Sequence, residues 1–496
     1  MEHEHKKQLL KDTTYYSIAN YIAQGFGIVN SVALRRFLGP AGMGIWSLLQ
    51  IILGYCGYAS FGTTKAMARN YPILRGKGEN ESAEKLKDMV FTFTMTMSLI
   101  PIVILVCYLA IKGKTLDRPV SIGIAFLSGF LLIQRFYDLL LNLLRSDKKF
   151  VLLSHLIIVN AVAGLIMTFA LVRWWNIYGL MAGTTVVTAI CIGMIYRSHP
   201  YHFARYWNSK ALWQELKLGV PLVLATFLGE FLKSADDWII ARYLGFASLG
   251  MYTLGSMATQ YVYSLPNMFS HVWYPNMQQD YGRKGGTPEG IKSYLLTPVF
   301  GFSILCPFLA GMAIFGITLL AQVFLPKYLP GLPAMKIYLI GTFFLLIGSF
   351  AYSYLIAIDK YLVNIPVVIA ALGINFTLNV FFVKIGWGLI GVAIGTVISF
   401  FIYGFGLYVL AIQKIMTLNE MLVKITEMLG LVAYSFTAIF LIDRFVSGSN
   451  VYWAAFGKGF IFLVVSSPLL FLFEQKTKTL SHLIEMFQQF RGKVAA

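Results

Sequence analysis

The chain has 496 residues; 57% are hydrophobic and only 12% charged, and lysine plus arginine outnumber aspartate plus glutamate 40 to 22, a net charge of +18. Soluble domains carry about 25% charged residues and disorder requires low hydrophobicity, so composition excludes a disordered chain and an ordinary soluble multidomain enzyme. The apolar residues fall in blocks near the ~20 residues that cross a bilayer, which predicts an all-α integral membrane protein.

Met1 to Asp12 is polar, and the long apolar stretch behind it lacks a signal peptide's short apolar region and small-residue cleavage site, so the first helix is expected to be retained. Fourteen segments are long and apolar enough to span: Thr13–Phe37, Met43–Ala66, Val90–Ile111, Val120–Leu144, Phe150–Trp174, Tyr178–Tyr196, Leu216–Tyr243, Leu249–Trp273, Tyr294–Phe315, Met335–Ile358, Tyr361–Val383, Leu389–Ile412, Met428–Ile442 and Tyr452–Phe473. An even number leaves both termini on one side. That side collects 25 of the basic residues against 11 on the other, so the positive-inside rule makes both termini cytoplasmic. The excess charge is thereby a topology signal scattered over many loops, and nucleic acid is not an expected partner. Cys56, Cys107, Cys191 and Cys306 each lie in an apolar block without a CxxC spacing, which predicts free thiols and no metal centre. No loop is long enough to hold a domain, so function must reside among the helices.

The chain repeats itself. Arg36-Phe-Leu-Gly-Pro-Ala-Gly-Met-Gly-Ile-Trp-Ser-Leu48 matches Arg242-Tyr-Leu-Gly-Phe-Ala-Ser-Leu-Gly-Met-Tyr-Thr-Leu254 at an offset of 206, and Gly179, Gly183 and Thr184 match Gly391, Gly395 and Thr396 at an offset of 212. Six helices per copy preserve orientation, so two parallel six-helix lobes are expected around a central cavity. This organisation assigns residues 1–205 to an N-lobe, 206–415 to a C-lobe and 416–496 to an accessory helix pair with a cytoplasmic tail.

Charges at membrane depth cost several kcal/mol and usually face a cavity or a partner. Glu230, Lys233 and Asp237 follow i, i+3, i+7 on the seventh segment, a single narrow stripe at 100° per residue. With Thr226 one turn earlier, the 206 offset carries this stripe of four onto Asn20, Gln24, Gly27 and Ser31 of the first segment. Mutual neutralisation of the three charges is the purely structural alternative. The fourth segment repeats the spacing with Arg135, Asp138 and Asn142, and Arg135 lies about 14 Å from its inner end at the helical rise. Lys65 and Arg69 sit one turn apart near the inner end of the second segment, where snorkelling and anion capture are both open. Asn375 and Asn379 read as helix–helix glue, and Lys458 as a structural residue of the accessory pair.

The repeated Arg-Phe-Leu-Gly-Pro-Ala-Gly-Met-Gly-Ile-Trp segment, and Phe324-Leu-Pro-Lys-Tyr-Leu-Pro-Gly-Leu-Pro-Ala-Met-Lys-Ile337 after the ninth segment, resemble hallmarks of the MOP exporter superfamily. Within it the chain resembles the polysaccharide-transporter branch over its whole length. The resemblance implies a flippase, not an enzyme, that carries an undecaprenyl-pyrophosphate-linked oligosaccharide repeat unit from the cytoplasmic to the outer leaflet of a bacterial or archaeal plasma membrane by alternating access. It implies no cofactor. Its partners would be the lipid-linked oligosaccharide, membrane lipids, a coupling H+ or Na+, and polysaccharide assembly enzymes such as those of O-antigen. Arg135, Lys233, Asn20, Gln24, Lys65, Arg69 and Asn142 are the candidate headgroup-binding residues; Glu230, Asp237 and Asp138 are candidates for ion coupling or charge balance. The alternative is a cation-coupled multidrug extruder of the MATE type, favoured by Glu230 and Asp237 and opposed by Arg135 and Lys233. A membrane glycosyltransferase would need a large outer loop, which is missing, and a scaffold would not need buried charge stripes.

Overall fold

A computed structural model describes the backbone of residues 2–446, 448 and 450–477, and the side chains from residue 15 onward except 222, 225, 268, 271, 272, 275, 473, 476 and 477. The expected tail with Lys478, Arg491 and Lys493 lies outside the described residues. Among those described the regular elements are all helical: α1 Glu2–Cys56, α2 Thr63–Gly76, α3 Asn80–Lys112, α4 Arg118–Ser146, α5 Phe150–Met167, α6 Arg173–Ser198, α7 Ser209–Tyr243, α8 Gly245–Arg283, α9 Ser293–Phe324, α10 Leu332–Ala357, α11 Asn364–Lys384, α12 Gly388–Ile412, α13 Leu418–Phe445 and α14 Val451–Thr477.

Among the described residues, ten stretches are long and apolar enough to cross a bilayer, or eleven if the two halves of α7, bent by 46° after Pro221, act as one span. Two of these stretches, Tyr15–Ser60 and Phe150–Ser198, are 46 and 49 residues long, enough for two crossings each at ~20 residues per span. Each is broken once. Gly39, with φ 67°, ends the first half of α1 just before Pro40, and Asn176, with φ 50°, breaks α6 near its start. Large apolar side chains face outward, as lipid contact requires: Val103, Ile104 and Ile111 of α3 are 58%, 61% and 76% exposed. Exposed Trp174 and Trp175 in one part of the chain, and Trp387 and Trp453 in another, each stand near a helix start, the kind of position an aromatic belt takes.

One expected span needs correction. Met43–Ala66 is not a single helix: α1 stops at Cys56, a 3-10 turn covers Gly57–Ser60, and Phe61 and Gly62 both take left-handed conformations before α2 begins. Lys65 and Arg69 therefore stand on a separate short helix and not at the end of the second span. The reason is local: Gly62 adopts φ 79° without steric cost, and hydropathy alone does not register such a break.

The chain divides into two compact units. The first comprises residues 1–241 and 245–250, and the second residues 242–244 and 251–496. Among the described residues, two apolar cores lie in the first unit. One gathers Met67, Tyr71, Leu86, Val90, Leu140 and Ile195; the other gathers Trp46, Leu49, Ile124, Leu127, Leu131 and Val172. Below the first core, the Tyr201 hydroxyl donates to Asp147 at 2.7 Å. Burial, reinforced by the Asp147 carboxylate, pushes that hydroxyl far above the usual tyrosine range, so it stays a donor at every ordinary pH.

Glycines set the closest approaches, as expected where helices associate without a hydrophobic drive. Both glycines of the 206-residue repeat take left-handed conformations, Gly39 at φ 67° and Gly245 at φ 82°. Five residues on, Gly44 packs against the Phe246 carbonyl while Gly250 packs against the Pro40 carbonyl, a reciprocal contact within the first unit. The second repeated motif is used alike in each unit. Gly179 and Gly183 abut Leu171 and Met167, whereas Gly391 and Gly395 abut Phe382 and Leu378 with Asn379.

In the second unit α10, α11 and α12 form a tight layer: Gly404 lies on the Phe344 carbonyl, and Asn375 donates to Ser399 across α11 and α12 at 2.9 Å, the role expected of glue. The Asp443 carboxylate of α13 takes Lys336 of α10 and, at 2.9 Å, Lys458 of α14. Lys458 is thus held structurally, tying the last two helices to the bundle.

Candidate functional site

Within the first unit α7 lies along the second half of α1 and along α2. The Tyr55 hydroxyl is 2.6 Å from that of Ser234, and the Tyr55 ring stacks on Trp238 and meets Phe227 and Phe231. Further on, Gly62 and Gly219 touch backbone to backbone. Lys65 donates to Thr226 at 2.8 Å, and Asn70 to Glu215 at 2.8 Å. Aromatic rings thus close the middle of this seam, and polar pairs close its predicted cytoplasmic end.

The α7 charges stand beside it. Lys233 pairs with Glu230 at 2.8 Å, and their side chains are 41% and 50% exposed. A half-exposed pair contributes at most about 1 kcal/mol, so this contact brings little energetic gain. Asp237 differs: it is buried, its backbone N–H donates to the Asp236 carboxylate at 3.1 Å, and its own Oδ1 has no hydrogen-bond partner among the described residues.

On α4, Arg135 is 14% exposed and donates to the Leu53 carbonyl in the last turn of α1 at 2.9 Å. It also pairs with Asp138 at 3.2 Å, while Asp138 accepts from Gln134 at 2.9 Å. The guanidinium occupies the space a side chain at Gly57 would need. Asn142 and Asn20 each donate to their own helix, to the carbonyls of Asp138 and Tyr16. Gln24 is half-buried, and Arg69 is exposed on α2. The geometry therefore pairs Arg135 with Asp138 and Glu230 with Lys233, sets Lys65 against α7, and leaves Asn20, Gln24, Arg69 and Asn142 outside these contacts.

A cavity of about 780 Å³ opens inside the first unit and draws its walls from both apolar cores. Its polar lining includes Asn30, Gln50, Gln134, Asn160, Thr184 and Thr188. None of the ten sequence-derived candidates lines it, although Gly27 of the first-helix stripe does. Sequence reasoning passed over these residues because it searched for charge. The available signal was an uncharged amide in each of four apolar spans: Asn30, Gln50, Gln134 and Asn160.

A family model described as polysaccharide biosynthesis protein matches residues 9–279, more than half of the chain. No curated protein sequence matches. Among solved structures, the lipid II flippase MurJ in an inward closed conformation matches with a TM-score of 0.62 at 17% identity, covering 92% of this chain and 98% of that one. An inward-facing multidrug resistance MATE transporter of the MOP superfamily gives 0.60 at 14% identity, over 81% and 94%. A MOP superfamily transporter from Pyrococcus furiosus, whose binding pocket is described as having reversed polarity, gives 0.58 at 14% identity, over 81% and 95%. The fold is that of MOP-superfamily transporters, and the chain belongs to the polysaccharide biosynthesis protein family.

Proposed function

We propose that this protein is a flippase that carries an undecaprenyl-pyrophosphate-linked oligosaccharide repeat unit from the cytoplasmic to the outer leaflet of the plasma membrane by alternating access, for assembly of a cell-surface polysaccharide. The observation that carries the reading is the half-exposed Lys233–Glu230 pair on α7, in a chain of the polysaccharide biosynthesis family. A half-exposed ammonium paired with a carboxylate can transfer to a diphosphate, a charge-assisted contact about twice as strong as a neutral one. Lys65 and Arg69 add cations on α2, and Arg135 adds one once released from Leu53. Asn20, Gln24 and Asn142 supply neutral hydrogen bonds. The lipid tail stays in hydrocarbon while the head crosses a hydrated path, which avoids desolvating sugars and phosphate. Glu230, Asp138 and Asp237 balance charge or take the coupling H+ or Na+, and enzymes assembling the same polysaccharide are the expected partners.

A second reading, cation-coupled extrusion, is favoured by Asp237, whose buried Oδ1 lacks a partner among the described residues. One experiment separates the two. Reconstituted protein receives a fluorescent undecaprenyl-diphosphate oligosaccharide, and leaflet exposure is followed over time. Lys233→Ala is expected to stop movement while insertion and monodispersity persist. Undiminished flipping by this variant removes the site assignment, and absence of flipping by the wild type in favour of drug efflux selects the second reading.

A further inference from the structure

We propose that the 780 Å³ cavity of the first unit is a binding subsite for uncharged sugar, occupied by the neutral hexose units of the lipid-linked oligosaccharide; this deepens the flippase reading and rests on it. The volume falls within the ~300–1,000 Å³ usual for ligand pockets. The walls decide the chemistry. They contain no aspartate or glutamate, and Arg145, in the last turn of α4, is the only charged side chain among them. A cation would find no counter-charge inside, and an anion would find one only at the end. A hydrocarbon chain would strand amides in an apolar medium, at a cost of about 1–3 kcal/mol each.

The polar groups instead offer both halves of a hydrogen bond. Thr184 and Thr188 donate their hydroxyl protons to the carbonyls of Met181 and Thr184 within α6, at 2.9 and 2.8 Å, and so present lone pairs. Gln50, an exposed side chain of the lining, hydrogen-bonds to nothing among the described residues and offers donor and acceptor atoms together; Asn160, also exposed, is shared with Tyr137 and Cys191, and its amide, with two donors and two acceptor sites, has capacity left for a sugar hydroxyl. A sugar hydroxyl is donor and acceptor at once, so it satisfies both kinds of wall. Trp46, Phe130 and Tyr137 supply flat apolar faces for the C–H side of a pyranose. Gly27, Gly164 and Gly183 keep the space between them wide.

The test uses the full chain in lipid nanodiscs with three probes: undecaprenyl diphosphate bearing a neutral trihexose, undecaprenyl diphosphate without sugar, and free maltotriose. Wild type is compared with Gln50→Ala/Asn160→Ala and with Ala161→Phe, which fills the cavity and retains the amides. Wild type is expected to bind the glycosylated lipid about tenfold more tightly than the bare lipid, the worth of one or two hydrogen bonds. Both variants are expected to lose that difference and to hold the bare lipid within about twofold. Ala161→Phe decides the matter if the double variant does not fold. A tenfold preference surviving in a monodisperse variant overturns the assignment, as does a wild type that holds both lipids equally, which marks a cavity filled by water alone. Binding of maltotriose by wild type but not by the variants, with neither lipid bound, keeps the subsite and removes the flippase reading. Binding of no probe removes both.

Discussion

Arg135 offers the sharpest check on the geometry, because its guanidinium serves α1 as well as α4. It donates to the Leu53 carbonyl at 2.9 Å, and Leu53 lies in the last turn of α1. A hydrogen bond to a charged donor contributes about 1.5–3 kcal/mol. The pair with Asp138, whose side chain is 39% exposed, adds at most about 1 kcal/mol. Arg135→Ala should therefore cost about 2–4 kcal/mol. At roughly 2–4 °C per kcal/mol for a body of 150–250 residues, the midpoint of thermal unfolding should fall by several degrees. Gly57→Ala reaches the same interaction from the other side, since its new methyl group occupies the position of the guanidinium. The two changes remove one contact, so their effects should not add: the double variant should sit within about 0.5 kcal/mol of the worse single one, a coupling of 1 kcal/mol or more. Fluorescence-detected thermal unfolding in detergent measures all four proteins of the cycle. Additive effects, or an Arg135→Ala protein as stable as the wild type, would show that the guanidinium does not hold the end of α1.

Other outcomes follow from the same contacts. Gly44→Ala and Gly250→Ala place a methyl group on a backbone carbonyl and should each cost about 1–3 kcal/mol or more. Gly54→Ala has nothing within 4 Å and should be neutral or stabilising by up to about 1 kcal/mol; thermal unfolding of the three variants decides. Tyr201→Phe deletes the donor to Asp147 and should cost about 1.5–3 kcal/mol, with no pH dependence traceable to the tyrosine between pH 6 and 9. Asp443→Ala leaves Lys336 and Lys458 without their shared carboxylate, and it should destabilise more than Lys458→Ala, which leaves one pair intact; proteolysis of the α13–α14 connection compares them.

Helix and membrane character were legible because uninterrupted apolar blocks of about 20 residues have few other physical solutions. The internal repeat was legible for a related reason. Its glycines fill positions that other residues would strain: a positive φ at both Gly39 and Gly245, and close backbone contact at both Gly44 and Gly250. The break at Phe61 and Gly62 was not legible, since it depends on backbone angles in a stretch whose hydropathy continues. Charged positions drew attention on α4 and α7, and the structure did pair Arg135 with Asp138 and Lys233 with Glu230. What periodicity did not reveal was that Arg135 reaches across to Leu53, because that contact depends on how two helices cross. Gln50 and Asn160 went unnoticed because a single amide in an apolar helix resembles ordinary interhelical glue, as Asn375 proved to be, until the space in front of it is known.

The carboxylate-free wall of the first unit's cavity has an electrical meaning. A charge driven across a membrane gains or loses about 2.3 kcal/mol per 100 mV, so each ionised group that travels with a cargo ties its movement to the voltage. A sugar held only by amides and hydroxyls carries no such term, so under the proposed function any voltage dependence would enter through the diphosphate or through charged side chains outside that wall.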